Sequence, residues 1–256
     1  MRTVARLSVA PVKSLRLLHP DRVRLERSGV PENRRFYLAE PDGTLFTAAK
    51  HGPVVAIVPE YDAPSERLRL RFPDGAIVEG DASRLGRGVT SDFFGRAVPG
   101  RMMEGPWAEA FSSYVGRPLR LVRVEAHGDG NDDAPVSLFS TASAEELARR
   151  SGRPEALDSR RFRMLAEVAG CEPHEEDHWN GTAVRLGETL VKVVGFVGRC
   201  VITTQSPSTG HKDLDTLKAI KAYRGVRGKG ILFGVYAEVL EPGTIGVGDP
   251  VVPEGN

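Results

Sequence analysis

Short runs in which apolar and polar residues alternate dominate the first third of the chain. Such alternation is the mark of half-buried strands. It predicts strands over residues 3–12, 22–26, 35–40, 54–59, 67–72 and 76–79. Pro41-Asp42-Gly43 and Pro73-Asp74-Gly75 are turn signals, and the second joins two runs as a hairpin. Six short strands separated by turns predict a β-barrel-like unit over residues 1–85. Residues 81–105 are glycine-rich and weakly patterned, which reads as a loop or linker.

Beyond the linker the periods mix. Residues 106–115 read as a helix with proline in its first turn, and 120–125 as a strand. Residues 126–134, rich in Gly, Asp and Asn, read as a mobile loop. Ser143-Ala144-Glu145-Glu146 has the form of a capping box, so Ser143 is expected to cap a helix running to about Arg150. Strands follow at 164–168, 183–186 and 190–197. Residues 213–223 form an amphipathic helix with Leu214, Leu217 and Ile220 on one face, and strands close the chain at 231–240 and 246–252. The expected fold is mainly β with helices, α+β: a barrel-like unit over 1–85 and a mixed β-barrel carrying helices over 105–256.

Composition narrows the classes. The chain has 256 residues, 40% hydrophobic and 27% charged, as ordinary soluble proteins do. A net charge of +1 points to no nucleic acid, membrane or acidic partner. No run approaches the ~20 apolar residues of a membrane span, and the N-terminus is interrupted by charge, so a cytoplasmic location is expected. Two cysteines make neither a disulfide framework nor a four-thiolate iron–sulfur site. G-x-G-x-x-G and P-loop motifs are absent, which leaves nicotinamide and ATP binding unsupported. Asn180-Gly181-Thr182 fits the glycosylation pattern by chance.

The candidate chemistry gathers around Cys200. A β-branched strand leads in, Gly195 and Gly198 break it, and Arg199 precedes the thiol. A neighbouring cation favours the thiolate, the form that attacks or binds metal. The plain alternative is a buried cysteine acting as a small hydrophobe. Cys171, in a short apolar run, reads as core. His174-Glu175-Glu176-Asp177-His178 matches H-E-x-x-H, but Pro173 precedes it and acids fill it. The zinc motif requires a helix with an apolar back, so a solvated acidic turn closed by a buried Trp179 is expected, with no zinc. The basic stretch 223–230 reads as a flexible connection or an anion-holding loop.

Arg199-Cys200-Val201-Ile202-Thr203-Thr204-Gln205-Ser206-Pro207-Ser208-Thr209-Gly210 resembles the signature of the MOSC-domain family, named for the C-terminal domain of molybdenum cofactor sulfurase. Pro11-Val12-Lys13-Ser14 and Asn33-Arg34-Arg35-Phe36 are similar to the two signatures of the β-barrel unit preceding MOSC in its amidoxime-reducing branch. Residues 137–143, 161–163 and 175–179 resemble the MOSC core, and 242–251 its closing strand. In two places the sequence departs from the pattern: Arg163-Met164-Leu165 stands where many members have Arg-Pro-Asn, and Pro207-Ser208-Thr209 where Pro-Asp-Thr is usual.

The resemblance implies a molybdenum–pterin cofactor; the residues themselves point to no zinc, iron–sulfur cluster or NAD, and pyridoxal phosphate is not expected. Cys200 is implied as the molybdenum ligand or sulfur-carrying thiol. Lys13, Ser14 and Arg35 are implied as contacts on the N-terminal side, and Arg163 and Arg199 on the MOSC side. Ser140 and Thr141, before a helix, offer an anion site or plain helix initiation. Thr203 and Thr204 offer hydrogen bonds or simply strand propensity. Lys13 and Arg35 read equally as strand-end charges, and Arg163 as part of a basic face. The implied activity is reduction of a small N-hydroxylated substrate with electrons from a separate reductase or ferredoxin. The alternatives are a sulfurtransferase or cofactor carrier using a Cys200 persulfide, and a MOSC binding module without cofactor.

Overall fold

The computed structural model of the chain describes residues 1–254 except Pro154, Ala156 and Lys229. Its architecture is mainly β with three α-helices, Trp107–Val115, Thr141–Arg150 and Thr216–Arg224, among the described residues. A seven-stranded sheet runs in the order Thr3–Leu7, Ala166–Ala169, Val136–Ser140, Leu232–Glu241, Thr189–Gly198, Ala183–Leu186, Val251–Pro253. The first strand then bridges back from Thr3 to Pro250, which nearly closes the sheet into a barrel. Closure removes the open edges that a flat sheet would expose. Inward-facing Val4, Leu7, Val136, Leu138, Val191, Val193 and Val235 fill it.

The five-stranded sheet of the N-terminal side runs Leu45–Phe46, Phe36–Ala39, Arg120–Val124, Arg96–Met103, Leu85–Phe93. A three-stranded sheet, Val58–Asp62, Arg67–Arg71 and Ile77–Asp81, lies beside it, with the hairpin turn at Pro73-Asp74-Gly75 as expected. Trp107 and Phe111 bury one stripe of the first helix against Leu68, Leu70 and Leu121. The two halves interlock: the first strand of the chain pairs with Ala166–Ala169, and Gly243–Gly246 pairs with Arg22–Leu25.

Several local expectations are corrected. Residues 81–105 are no linker but a long hairpin, Leu85–Phe93 with Arg96–Met103, joined edge-on to Arg120–Val124. Residues 54–59 are a 3-10 turn, Gly52–Ala56, followed by a strand from Val58. The loop 126–134 is tethered: Arg96 Nη2 donates to the carbonyls of Asp129 at 2.8 Å and Asn131 at 2.6 Å, and Asn131 is buried. The helix Thr141–Arg150 is capped one turn earlier than expected, by Ser140, whose Oγ accepts the Ser143 N–H at 3.0 Å. Such a cap contributes about 1 kcal/mol. The closing segment is two strands, Gly243–Gly246 and Val251–Pro253, with a turn between. No helix among the described residues is long and apolar enough to cross a membrane.

Candidate functional site

A cleft of about 300 Å³ opens between the two halves. Of the residues anticipated from sequence, Lys13, Ser14, Arg163, Arg199, Cys200 and Thr203 line it. Arg35, Ser140, Thr141 and Thr204 do not. The tertiary structure adds Arg34, Phe94, Asp132, Met164 and Tyr236.

Cys200 follows the strand Thr189–Gly198 and immediately precedes a 3-10 turn, Val201–Thr204. Its residue is exposed, so the reading of a buried small hydrophobe is set aside. Thr203 Oγ1 donates to the Cys200 carbonyl at 3.0 Å and pairs with Thr216 Oγ1 at 2.8 Å, which ties the thiol-bearing turn to the third helix. Thr204 turns back on its own turn, donating to the Val201 carbonyl at 2.7 Å.

Arg199 lies alongside but points inward. Its Nε and Nη2 donate to the Phe233 carbonyl at 2.8 and 2.7 Å, its Nη1 to the Phe162 carbonyl at 3.0 Å, and Nη2 also meets Met164 Sδ at 2.7 Å. The guanidinium lies over the Phe162 ring, 5.4 Å from its centroid, and Phe162 stacks on Phe233. Burial lowers the Arg199 pKa to about 10, against the raising effect of the Tyr236 and Cys200 charges.

The cationic part of the cleft is built differently. Lys13, buried to 5% exposure, donates from Nζ to the Gly130 carbonyl at 3.0 Å and pairs with Asp132 at 2.5 Å. Burial brings its pKa down to about 8, partly countered by Asp132 and aided by Arg34 and Arg163. Arg163 sits in the left-handed region at φ 54° and donates to the Leu15 carbonyl at 2.7 Å. Burial pushes it down to about 9; the like charge of Arg34 adds to this and Asp132 opposes it. Arg34, also at positive φ, donates weakly to the Asn131 side chain and the Arg163 carbonyl, 3.4 Å each. Lys13, Arg34 and Arg163 thus crowd around one carboxylate, Asp132, whose side chain is 40% open to solvent. Burying cations with too little opposite charge is costly unless a ligand completes the balance. Tyr236, held protonated by burial, faces the same space.

The expectations that fall away do so for visible reasons. Arg35 points the other way, its Nη1 bonded to the Val124 carbonyl at 2.8 Å as it enters the strand Phe36–Ala39. The helix end at Ser140 and Thr141 already has a carboxyl of its own: Ser143 Oγ donates to the buried Glu176 at 2.7 Å, and Glu176 stays raised in pKa by burial. The acidic turn is therefore not all solvated. His174 and His178 sit on a 3-10 turn, Glu175–Trp179, or at its N-cap. His174 packs on Tyr223 and Phe233 while His178 is exposed, so the pair does not face a common metal. Cys171 is half-buried against the barrel core, its thiol pushed up to about 12 by burial. Leu165 also faces that core, not the cleft. The basic stretch 223–230 includes Lys229, which lies outside the described residues.

Two family profiles divide the chain in the same order. The MOSC domain profile matches residues 125–252, and the MOSC N-terminal beta barrel domain profile matches residues 1–118. Mitochondrial amidoxime-reducing component 1 of Xenopus laevis is 30% identical over 97% of this chain and 81% of its own length. Its Homo sapiens counterpart is 26% identical over 97% of this chain and 82% of its own length. Among solved structures, the YUAD protein from Bacillus subtilis overlays 98% of this chain and 96% of its own, with a TM-score of 0.44 and 14% identity.

Proposed function

The chain belongs to the MOSC domain family and carries that family's N-terminal beta barrel domain, and from that premise we propose that it is a molybdenum-cofactor-dependent reductase of small N-hydroxylated substrates. One observation carries the reading: three crowded cations, Lys13, Arg34 and Arg163, share a cleft with an exposed thiol, Cys200. A pterin cofactor with a phosphate tail and a soft metal centre needs those two kinds of group. The donor set fits. The phosphate supplies the negative charge that Asp132 alone does not, and a thiolate is the soft ligand molybdenum takes.

Each residue then has a task. Lys13 and Arg34 hold the anionic end from the N-terminal half, and Arg163 holds it from the other. Cys200 ligates the metal. Arg199, next to the thiol in sequence, braces Phe162 and Phe233. The Tyr236 hydroxyl, kept protonated, offers a donor to the substrate. When bound, the cofactor supplies the two-electron chemistry by which N–OH, two electrons and two protons become N–H and water. A separate reductase or ferredoxin-type protein supplies the electrons.

The exposure of Cys200 also favours a second reading, a persulfide carrier. Elemental analysis and intact mass of protein produced in a cofactor-replete host separate the two. Near-stoichiometric molybdenum, with turnover of an amidoxime by an artificial donor, is expected. A reducible mass increment of one sulfur on Cys200 without metal selects the carrier. Neither signal overturns both.

A further inference from the structure

The hairpin Leu85–Phe93/Arg96–Met103 ends in a two-residue loop, Phe94-Gly95, because Phe93 pairs directly with Arg96. Both loop residues have positive φ, 56° at Phe94 and 96° at Gly95. This is the pattern of a type I′ turn, whose first position favours Asn, Asp or Gly. A phenylalanine there forces a side chain with a Cβ into the left-handed region. It also leaves the ring 76% exposed. The turn itself is well held. Asp92 Oδ1 accepts the Gly95 N–H at 2.8 Å, and Phe93 is buried edge-on to Tyr37. Arg96 ties the tip to the loop 126–134. The ring of Phe94 lines the cleft that holds Cys200. A strained, exposed ring in the lining of the Cys200 cleft points to a role beyond the turn itself.

We propose that Phe94 is a specificity-determining residue that stacks on the aromatic ring of an aryl N-hydroxylated substrate at the mouth of the cleft. This rests on the proposed reductase function and assigns its substrate class. Met164, Val197 and Ile202 give the same cleft apolar walls, and Lys13 with Arg163 keeps the polar end for the cofactor. Phe94 adds an aromatic ring to that lining, beside Phe93, over which Lys13 sits at 5.0 Å. Aromatic pairs prefer offset or edge contacts.

The test is Phe94→Asn, with Phe94→Tyr as the conservative control, in the loaded enzyme with an artificial electron donor. Benzamidoxime is compared with an alkyl amidoxime for KM and kcat, and benzamidine binding is followed at equilibrium. Asparagine suits the turn, so the melting temperature of Phe94→Asn should hold or rise by about 2–4 °C. The aryl-to-alkyl ratio of kcat/KM should fall about three- to tenfold, through KM rather than kcat. Benzamidine binding should weaken alike, and Phe94→Tyr should keep the preference. An unchanged ratio and unchanged benzamidine binding overturn the proposal. If wild type reduces neither amidoxime, the reductase reading fails instead, and benzamidine binding still decides whether Phe94 prefers an aryl group.

Discussion

Two arginines of the cleft serve opposite purposes. Arg199, beside the thiol, spends its guanidinium on the carbonyls of Phe162 and Phe233 and lies over the Phe162 ring. It is a strut. Arg163, between the two residues that Arg199 holds, makes one bond to the Leu15 carbonyl and is crowded with Arg34 and Lys13 around Asp132. It is a charge without sufficient company. A guanidinium whose donors are met by backbone holds the fold. One buried beside like charges marks where an anion belongs.

The largest expected effect falls on the thiol. Cys200→Ser should reduce amidoxime turnover by about 100-fold or more, since a hard, protonated hydroxyl replaces a soft thiolate ligand. The exposed position predicts a melting point nearly unchanged, within about 0.5 kcal/mol of wild type in stability. Full activity with a lowered melting point would show that the thiol only packs.

The anion wall comes next. Arg163→Met and Lys13→Met should each weaken cofactor retention about ten- to hundredfold, because charge-assisted hydrogen bonds are worth about 1.5–3 kcal/mol. Methionine keeps the length, and at Arg163 the left-handed backbone is equally strained in both residues. Wild-type anion binding, followed with inorganic phosphate, should fall as pH rises through about 8, where Lys13 loses its proton. Stability moves the other way. The folded-state pKa lies below the ordinary value of 10.5, so the unfolded chain binds more protons between about 8 and 10.5. The cost of burying charged Lys13 is present below that window and is relieved as pH rises through it. Denaturant midpoints of wild type and Lys13→Met across that range should therefore converge. A flat difference would place the pair elsewhere in its titration.

On the strut side, Arg199→Met should appear chiefly in stability. It leaves the carbonyls of Phe162 and Phe233 short of donors, at about 1–3 kcal/mol. Equal stability with lost activity would break the contrast between the two arginines. The smallest effect is expected at Cys171→Ser: about 1 kcal/mol by thermal melt, with turnover kept, since that thiol packs on the barrel core.

Much of the frame was legible in the chain. The run before Cys200 is Leu-Val-Lys-Val-Val, and its strand, Thr189–Gly198, forms where alternation and β-branching predict it. The amphipathic pattern of Leu214 and Ile220 gives a helix, Thr216–Arg224, whose first turn Asp215 caps. The hairpin over 81–105 was hidden for a physical reason. Its inward positions include Ser91 and Gly100, small or polar residues that blank the alternation. Gly100 is needed there, because a Cβ would come within 2.7 Å of Val122 Cγ1 and 3.2 Å of the Tyr37 hydroxyl. That close packing belongs to a partner strand many residues away. Sequence offered both Ser140, as helix initiation, and Ser143, as the cap; the two are equally good locally, and Ser143 is drawn instead to the buried Glu176.

Sequence by itself determined that a thiol follows a buried strand, that a basic pair precedes Phe36, and that an arginine follows Phe162. These are statements about order along the chain, and local propensity suffices for them. Which arginine of the pair serves the cleft was decided only by tertiary structure. Arg34 takes a left-handed turn that leaves it facing Arg163, whereas Arg35, one residue on, is drawn to the Val124 carbonyl as its strand pairs with Arg120–Val124. Neighbouring residues at a strand entrance point to opposite sides, and the side that becomes a cleft depends on which distant strands close around it.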